Sequence, residues 1–148
     1  AGLSLEEGER IGNVVYDRHF ARLWAGFAAQ ERVRALSGVV APVLAVRALS
    51  MGLAGTDVAH HRAFAEAAER YRRTLVGAMN ADMTRHAVGS DFDYKAGPAL
   101  WAAVGPFAYE APSLAATLGE HREALAILGA WALVASLAAV AAIARVRP

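Results

Sequence analysis

The sequence predicts an all-α chain: long amphipathic helices forming an extracytoplasmic helical unit over residues 1–112, then one C-terminal transmembrane helix with a short basic tail over residues 113–148. Three observations lead there. Residues 125–144 read LAILGAWALVASLAAVAAIA, without a charge or a proline. Before them, two long stretches repeat apolar residues at steps of three and four, the spacing of one helix face. Helix-start residues stand ahead of the periodic stretches: Ser4, Thr56 or Asp57, and Ser113.

The first stretch, residues 5–36, opens with Ser4 and Glu7 at the spacing of a capping box. Ile11, Val15, Leu23 and Phe27 recur at multiples of four, and Tyr16, Phe20 and Trp24 widen the stripe. The opposite side carries Glu9, Asp17, Arg18, Arg22, Glu31, Arg32 and Arg34, which read as a solvated face.

Residues 36–55, LSGVVAPVLAVRALSMGLAG, have the length of a membrane span. Arg47 near their middle would cost about 2.5–3.5 kcal/mol there, and Pro42 breaks or kinks a helix after Ala41. The expectation is a short apolar helix at the bilayer surface or packed in a helical core.

Residues 58–85 are the best-specified helix, capped by Thr56 or Asp57 and striped by Phe64, Ala68, Tyr71, Leu75, Met79 and Met83. Glu66 with Arg70 and Glu69 with Arg73 stand at i,i+4 on its outer side. Glycine and proline punctuate residues 88–112, DFDY is turn-like, and Phe92, Tyr94, Trp101, Phe107 and Tyr109 supply an aromatic cover. That loop either covers a helical core or sits at headgroup level, where Trp and Tyr are enriched. From Ser113 a helix should continue through Glu120 and Arg122 into the apolar run.

Twenty helical residues rise roughly 30 Å, the thickness of a bilayer's hydrocarbon core. A core helix of a soluble bundle would show a polar side, and this run has none. Arg145 and Arg147 follow it, against Arg122 alone before it, so the C-terminus should be cytoplasmic and residues 1–112 extracytoplasmic. Gly129, Ala132, Ala135, Ser136 and Ala139 would admit another membrane helix closely.

Composition bounds the partners. Hydrophobic content is 56%, above the usual soluble range, and a net charge of +1 argues for no nucleic-acid partner. With no cysteine, disulfides, thiolate zinc sites and thiol catalysis are excluded. The chain opens at Ala1 without Met or a signal peptide, as expected of part of a longer protein.

Residues 49–83, LSMGLAGTDVAHHRAFAEAAERYRRTLVGAMNADM, with the lead-in QERVRALSGVVAPVLAVRA and W-(x4)-P-F-x-Y-(x2)-P-S-L from Trp101 to Leu114, resemble the type-two ABC-transporter permeases. The likeness is to a bacterial subgroup whose extracytoplasmic part is a domain of unknown function. It covers residues 30–148 well and the first helix loosely. What it implies is the C-terminal third of a permease in the inner (plasma) membrane, working with a separate ABC ATPase subunit and with other membrane helices of the same or a second permease chain. It implies no catalytic residue.

Searches for chemistry agree with a non-enzymatic chain that carries no cofactor. There is no Walker phosphate loop, no G-x-S-x-G elbow and no HExxH pair of zinc ligands. The best constellation is Asp57, His60 and His61, where either histidine stands one turn from the carboxylate and the pair could share a metal. Two ligands do not close a site, so a cap with polar contacts is the preferred reading, and a metal- or ligand-binding helical bundle the alternative. His19, His86 and His121 are isolated and expected at a surface or interface. Arg70, Arg72 and Arg73 form a small basic cluster, read as solvated, with lipid headgroups as the alternative.

Overall fold

A computed structural model describes residues 2–87 and 94–146, and the described residues form helices without a strand. The helices are α1 (Gly2–Ser37), α2 (Pro42–Leu53), α3 (Val58–His86), α4 (Pro98–Val104), α5 (Leu114–Glu120) and α6 (Arg122–Val146). The chain divides into two compact units, one of Ala1–Ala25 with Arg62–Glu110, the other of Gly26–His61 with Ala111–Pro148.

In the first unit α1 and α3 run antiparallel, since Glu6 meets Thr84, Glu9 and Asn13 meet Arg72, and Asp17 meets Arg73. Long side chains bridge the two helices. The inward side of α1 is not the aliphatic stripe expected from the sequence. Ile11, Val15 and Leu23 are exposed, while Tyr16, Phe20, Trp24 and, above them, Glu9 and Asn13 turn inward. Both series have helical spacing, so periodicity alone could not choose between them. Nor does the capping box form: Ser4 lies inside the helix, and Glu7 instead chelates Arg10 at 2.8 and 2.5 Å.

The stripe on α3 is only partly covered, and no α3 residue is fully buried. Phe64 packs edge-on against Phe107 and Tyr109, with centroids 5.9 and 5.2 Å apart, and Tyr71 lies 5.4 Å from Phe107. The Tyr71 hydroxyl donates to the Gly105 carbonyl at 2.9 Å. Gly105, with φ 70°, ends the short helix α4 in a conformation that L side chains rarely adopt. The expected irregular cover thus contains one helix; residues 91–93 of the expected turn lie outside the described residues.

The second unit packs α2 against α5 and α6. Pro42 takes the first position of α2, where its missing N–H costs nothing, and Gly55 at φ 68° turns the chain out of it. Gly52 backs onto His121 and Gly38 onto Ile127, so α2 runs antiparallel to the start of α6. Ser113 caps α5 as expected, accepting from Ala116 N at 3.3 Å. The helix does not continue unbroken, however. It hitches at His121, φ −95° and ψ 18°, before α6 begins. α6 has a mean hydropathy of 2.3 and none of its apolar window buried, so it is long and apolar enough to cross a membrane.

Candidate functional site

The polar centre of the second unit grows from the α2–α3 connection. Gly55 reverses the chain so that Asp57 precedes the first turn of α3, where its Oδ1 accepts from His60 N at 2.8 Å. That is the N-cap expected from the sequence. The same oxygen takes the His60 ring through Nδ1 at 2.6 Å, and Oδ2 takes His121 Nε2 at 2.7 Å. Asp57 is only 6% exposed. Burial pushes its carboxyl up, but the backbone N–H of His60 and the two rings outweigh that and hold its pKa below the ordinary value.

An ionised carboxylate only accepts, so the protons lie on His60 Nδ1 and His121 Nε2. In that tautomer His60 Nε2 is left to accept from the Thr117 hydroxyl, 3.5 Å away. Hydroxyl, imidazole and carboxylate then stand in the order of a nucleophilic relay. Thr117, however, is 5% exposed, and a reactive hydroxyl must meet its substrate. The arrangement works as a clip that ties the start of α3 to the α5–α6 junction.

Of the sequence candidates, the structure joins Asp57 and His60, while His61 is exposed one residue on. His121, expected at a surface or interface as an isolated residue, is instead the second imidazole on Asp57. The one local signal for it is Gly52, because a Cβ there would overlap the His121 ring. Among the described residues no set of three or more His, Cys, Asp and Glu side chains is arranged to hold a metal.

The first unit holds a second polar cluster, at a shallow cleft of about 310 Å³ walled by Tyr16, Phe20, Trp24, Arg62, Arg70 and Arg73. Glu69 sits beneath it, receiving Arg72 Nε at 2.7 Å and Arg73 Nε at 2.8 Å. The Arg72 hydrogen bond, joined by that of Arg73 and opposed by burial, lowers the Glu69 pKa. Arg73 continues to Asp17 at 2.5 Å and Arg72 to Asn13 at 2.7 Å. Glu9 Oε1 lies 2.9 Å from Arg72 Nη1, at ion-pair distance but without hydrogen-bond geometry. Arg72 and Arg73 therefore bind across to α1 and are not the solvated face the sequence suggested. Glu66 pairs with Arg62 at 2.7 Å, whereas the sequence spacing had suggested Arg70.

Comparison with known proteins adds one match. A family described as a domain of unknown function, DUF3526, matches residues 1–110, which takes in all of α1 and stops before α5. No curated protein and no solved structure matches.

Proposed function

The chain belongs to the DUF3526 family, and from that premise we propose that it is part of the membrane permease subunit of an ABC-type transporter. In this reading it is non-catalytic by itself, anchored by α6, and driven by a separate ATPase subunit in the cytoplasm. One observation carries the reading: the apolar window of α6 is wholly unburied, which calls for lipid or other membrane helices around it. The sequence resemblance at residues 30–148 supplies the transporter class. Consistent with a structural rather than chemical role, the Asp57 clip has its hydroxyl closed off from substrate.

Detergent extraction of bacterial membranes followed by affinity purification of the chain tests this. An ATPase subunit should co-elute and hydrolyse ATP. Recovery of the chain from the soluble fraction, or from membranes without any nucleotide-hydrolysing partner, counts against it. The convergence of Asp57, His60 and His121 favours a second reading, a ligand-binding helical bundle. A transition metal bound stoichiometrically by the purified chain and lost in His60→Ala would select that one.

A further inference from the structure

The turn joining α1 to α2 presents apolar side chains to the outside: Leu36 is 72% exposed, Val40 83% and Val43 68%. Val33, Val39 and Val46, on the turn and its two arms, are exposed as well. The turn also lies at a definite level along α6. Trp131 Nε1 donates to the Val39 carbonyl at 2.9 Å, and a Cβ on Gly38 would stand 3.6 Å from Ile127 Cδ1. Trp131 is six positions beyond Leu125, the first residue of the uncharged run, or about 9 Å into it.

We infer that residues 36–43 dip into the hydrocarbon of the bilayer beside α6, as the tip of a re-entrant helical hairpin whose occupant is lipid acyl chains. The inference rests on the reading that α6 spans the membrane.

Two further features of the hairpin fit lipid. The backbone at membrane depth must have its polar groups satisfied internally. The N–H groups of residues 38–41 meet this: Gly38 N donates to Arg34 O at 3.1 Å, Val39 N to Leu36 O at 3.1 Å, and Val40 N and Ala41 N to Ser37 O at 3.2 and 3.0 Å. Pro42 has no N–H, and the Ser37 hydroxyl turns back to Val33 O at 2.9 Å. Charge is placed to match. Residues 35–46 carry none, and Arg34 and Arg47 bracket them, one on each arm. Each lies about 7–9 Å along its helix from the tip, at the level of lipid phosphate when the tip is in hydrocarbon, Arg34 there also pairing with Glu31. Gly38 lets the hairpin lie close to Ile127 of α6, and α2 packs along the same helix with Ala45 buried.

The chain has no cysteine, so single spin labels report cleanly. Val40→Cys, with Val43→Cys as a second tip position, is labelled with a nitroxide in the full chain. It is then reconstituted in vesicles of phosphatidylethanolamine and phosphatidylglycerol. Collision with oxygen and with a water-soluble nickel chelate is compared at the tip, at Leu137→Cys in the middle of α6, and at Thr56→Cys beyond α2. The tip should favour oxygen over nickel severalfold more than Thr56 does, approaching Leu137. A tip that matches Thr56 while Leu137 is in lipid overturns the inference and leaves the α6 reading standing. Nickel access at Leu137 overturns both. A tip shielded from both reagents means that another protein segment covers it, and that outcome also overturns the inference.

Discussion

Asp57 takes three donors on two oxygens, two from its own helix and one from His121, 64 residues away. The local part was legible in the sequence, because a cap residue and a histidine three positions on lie on one helical turn. The distant part was not, since a partner so far along the chain is brought in by tertiary packing. Replacing Asp57 with Asn keeps a cap but loses a charged acceptor, and should cost about 1–2 kcal/mol at neutral pH. The folded pKa of Asp57 is lowered from 3.8, so its stabilisation is complete above the ordinary carboxylate range and disappears as pH falls through the depressed value. Denaturation midpoints of wild type and Asp57→Asn in detergent should therefore differ at pH 7 and converge only as pH falls through the depressed pKa, below the ordinary carboxylate range. A gap unchanged at acid pH would show that the carboxylate is not held as described. Gly52→Ala should act on the same clip by displacing the His121 ring, and should lower the wild-type midpoint while adding little to Asp57→Ala.

Helix extents were legible and helix faces were not. The expected helices at 5–36 and 58–85 became Gly2–Ser37 and Val58–His86: Gly38 and Pro42 lie just past the end of the first, and Asp57 caps the start of the second, whereas the start of the first runs past the expected cap at Ser4. Which side of α1 turns inward depended on what α3 offers, namely Arg72 and Arg73, whose reach selected Glu9, Asn13, Tyr16 and Asp17 over the aliphatic residues. The face of α3 carrying Glu69 reads as solvent in sequence for the same reason: a charge pair one turn apart looks identical whether or not a second helix lies over it. Glu69→Ala removes the acceptor of two guanidinium groups that remain half-buried, and should cost about 1–2 kcal/mol. Glu66→Ala, at an exposed pair, should stay within about 0.5 kcal/mol. Thermal melts of the two variants side by side measure the difference, and equal midpoints would remove the network from the stability of the α1–α3 pair.

At the scale of the whole chain, hydrophobic content of 56% coexists with few buried hydrophobic residues; Trp24, Ala45 and Ala124 are the buried ones among the described residues. Much of the remaining apolar surface lies on α6, whose exposure in the structure was legible beforehand from a run without a polar side. The hitch at His121 departs from the continuous helix expected there; Gly119, two residues earlier, is the only helix-weakening residue between Ser113 and Arg122, and one glycine does not mark a break by itself. If α6 spans a bilayer, the chain should resist alkaline extraction. Arginines at Ala135 and Ser136 should each cost about 2.5–3.5 kcal/mol of insertion and release it. Orientation is a separate matter, because insertion energy is indifferent to direction while the flanking charges are not. Arg145 and Arg147 beyond the apolar run outnumber Arg122 before it, and Lys/Arg excess is retained on the cytoplasmic side. A reporter that works only outside the cytoplasm should be active when inserted beside Gly97 and silent when fused after Pro148. Moving the excess, by Arg145→Ser and Arg147→Ser with two arginines added before Glu123, should weaken or invert that pattern. The reverse pattern in the unaltered chain would mean that the flanking arginine count does not set its topology.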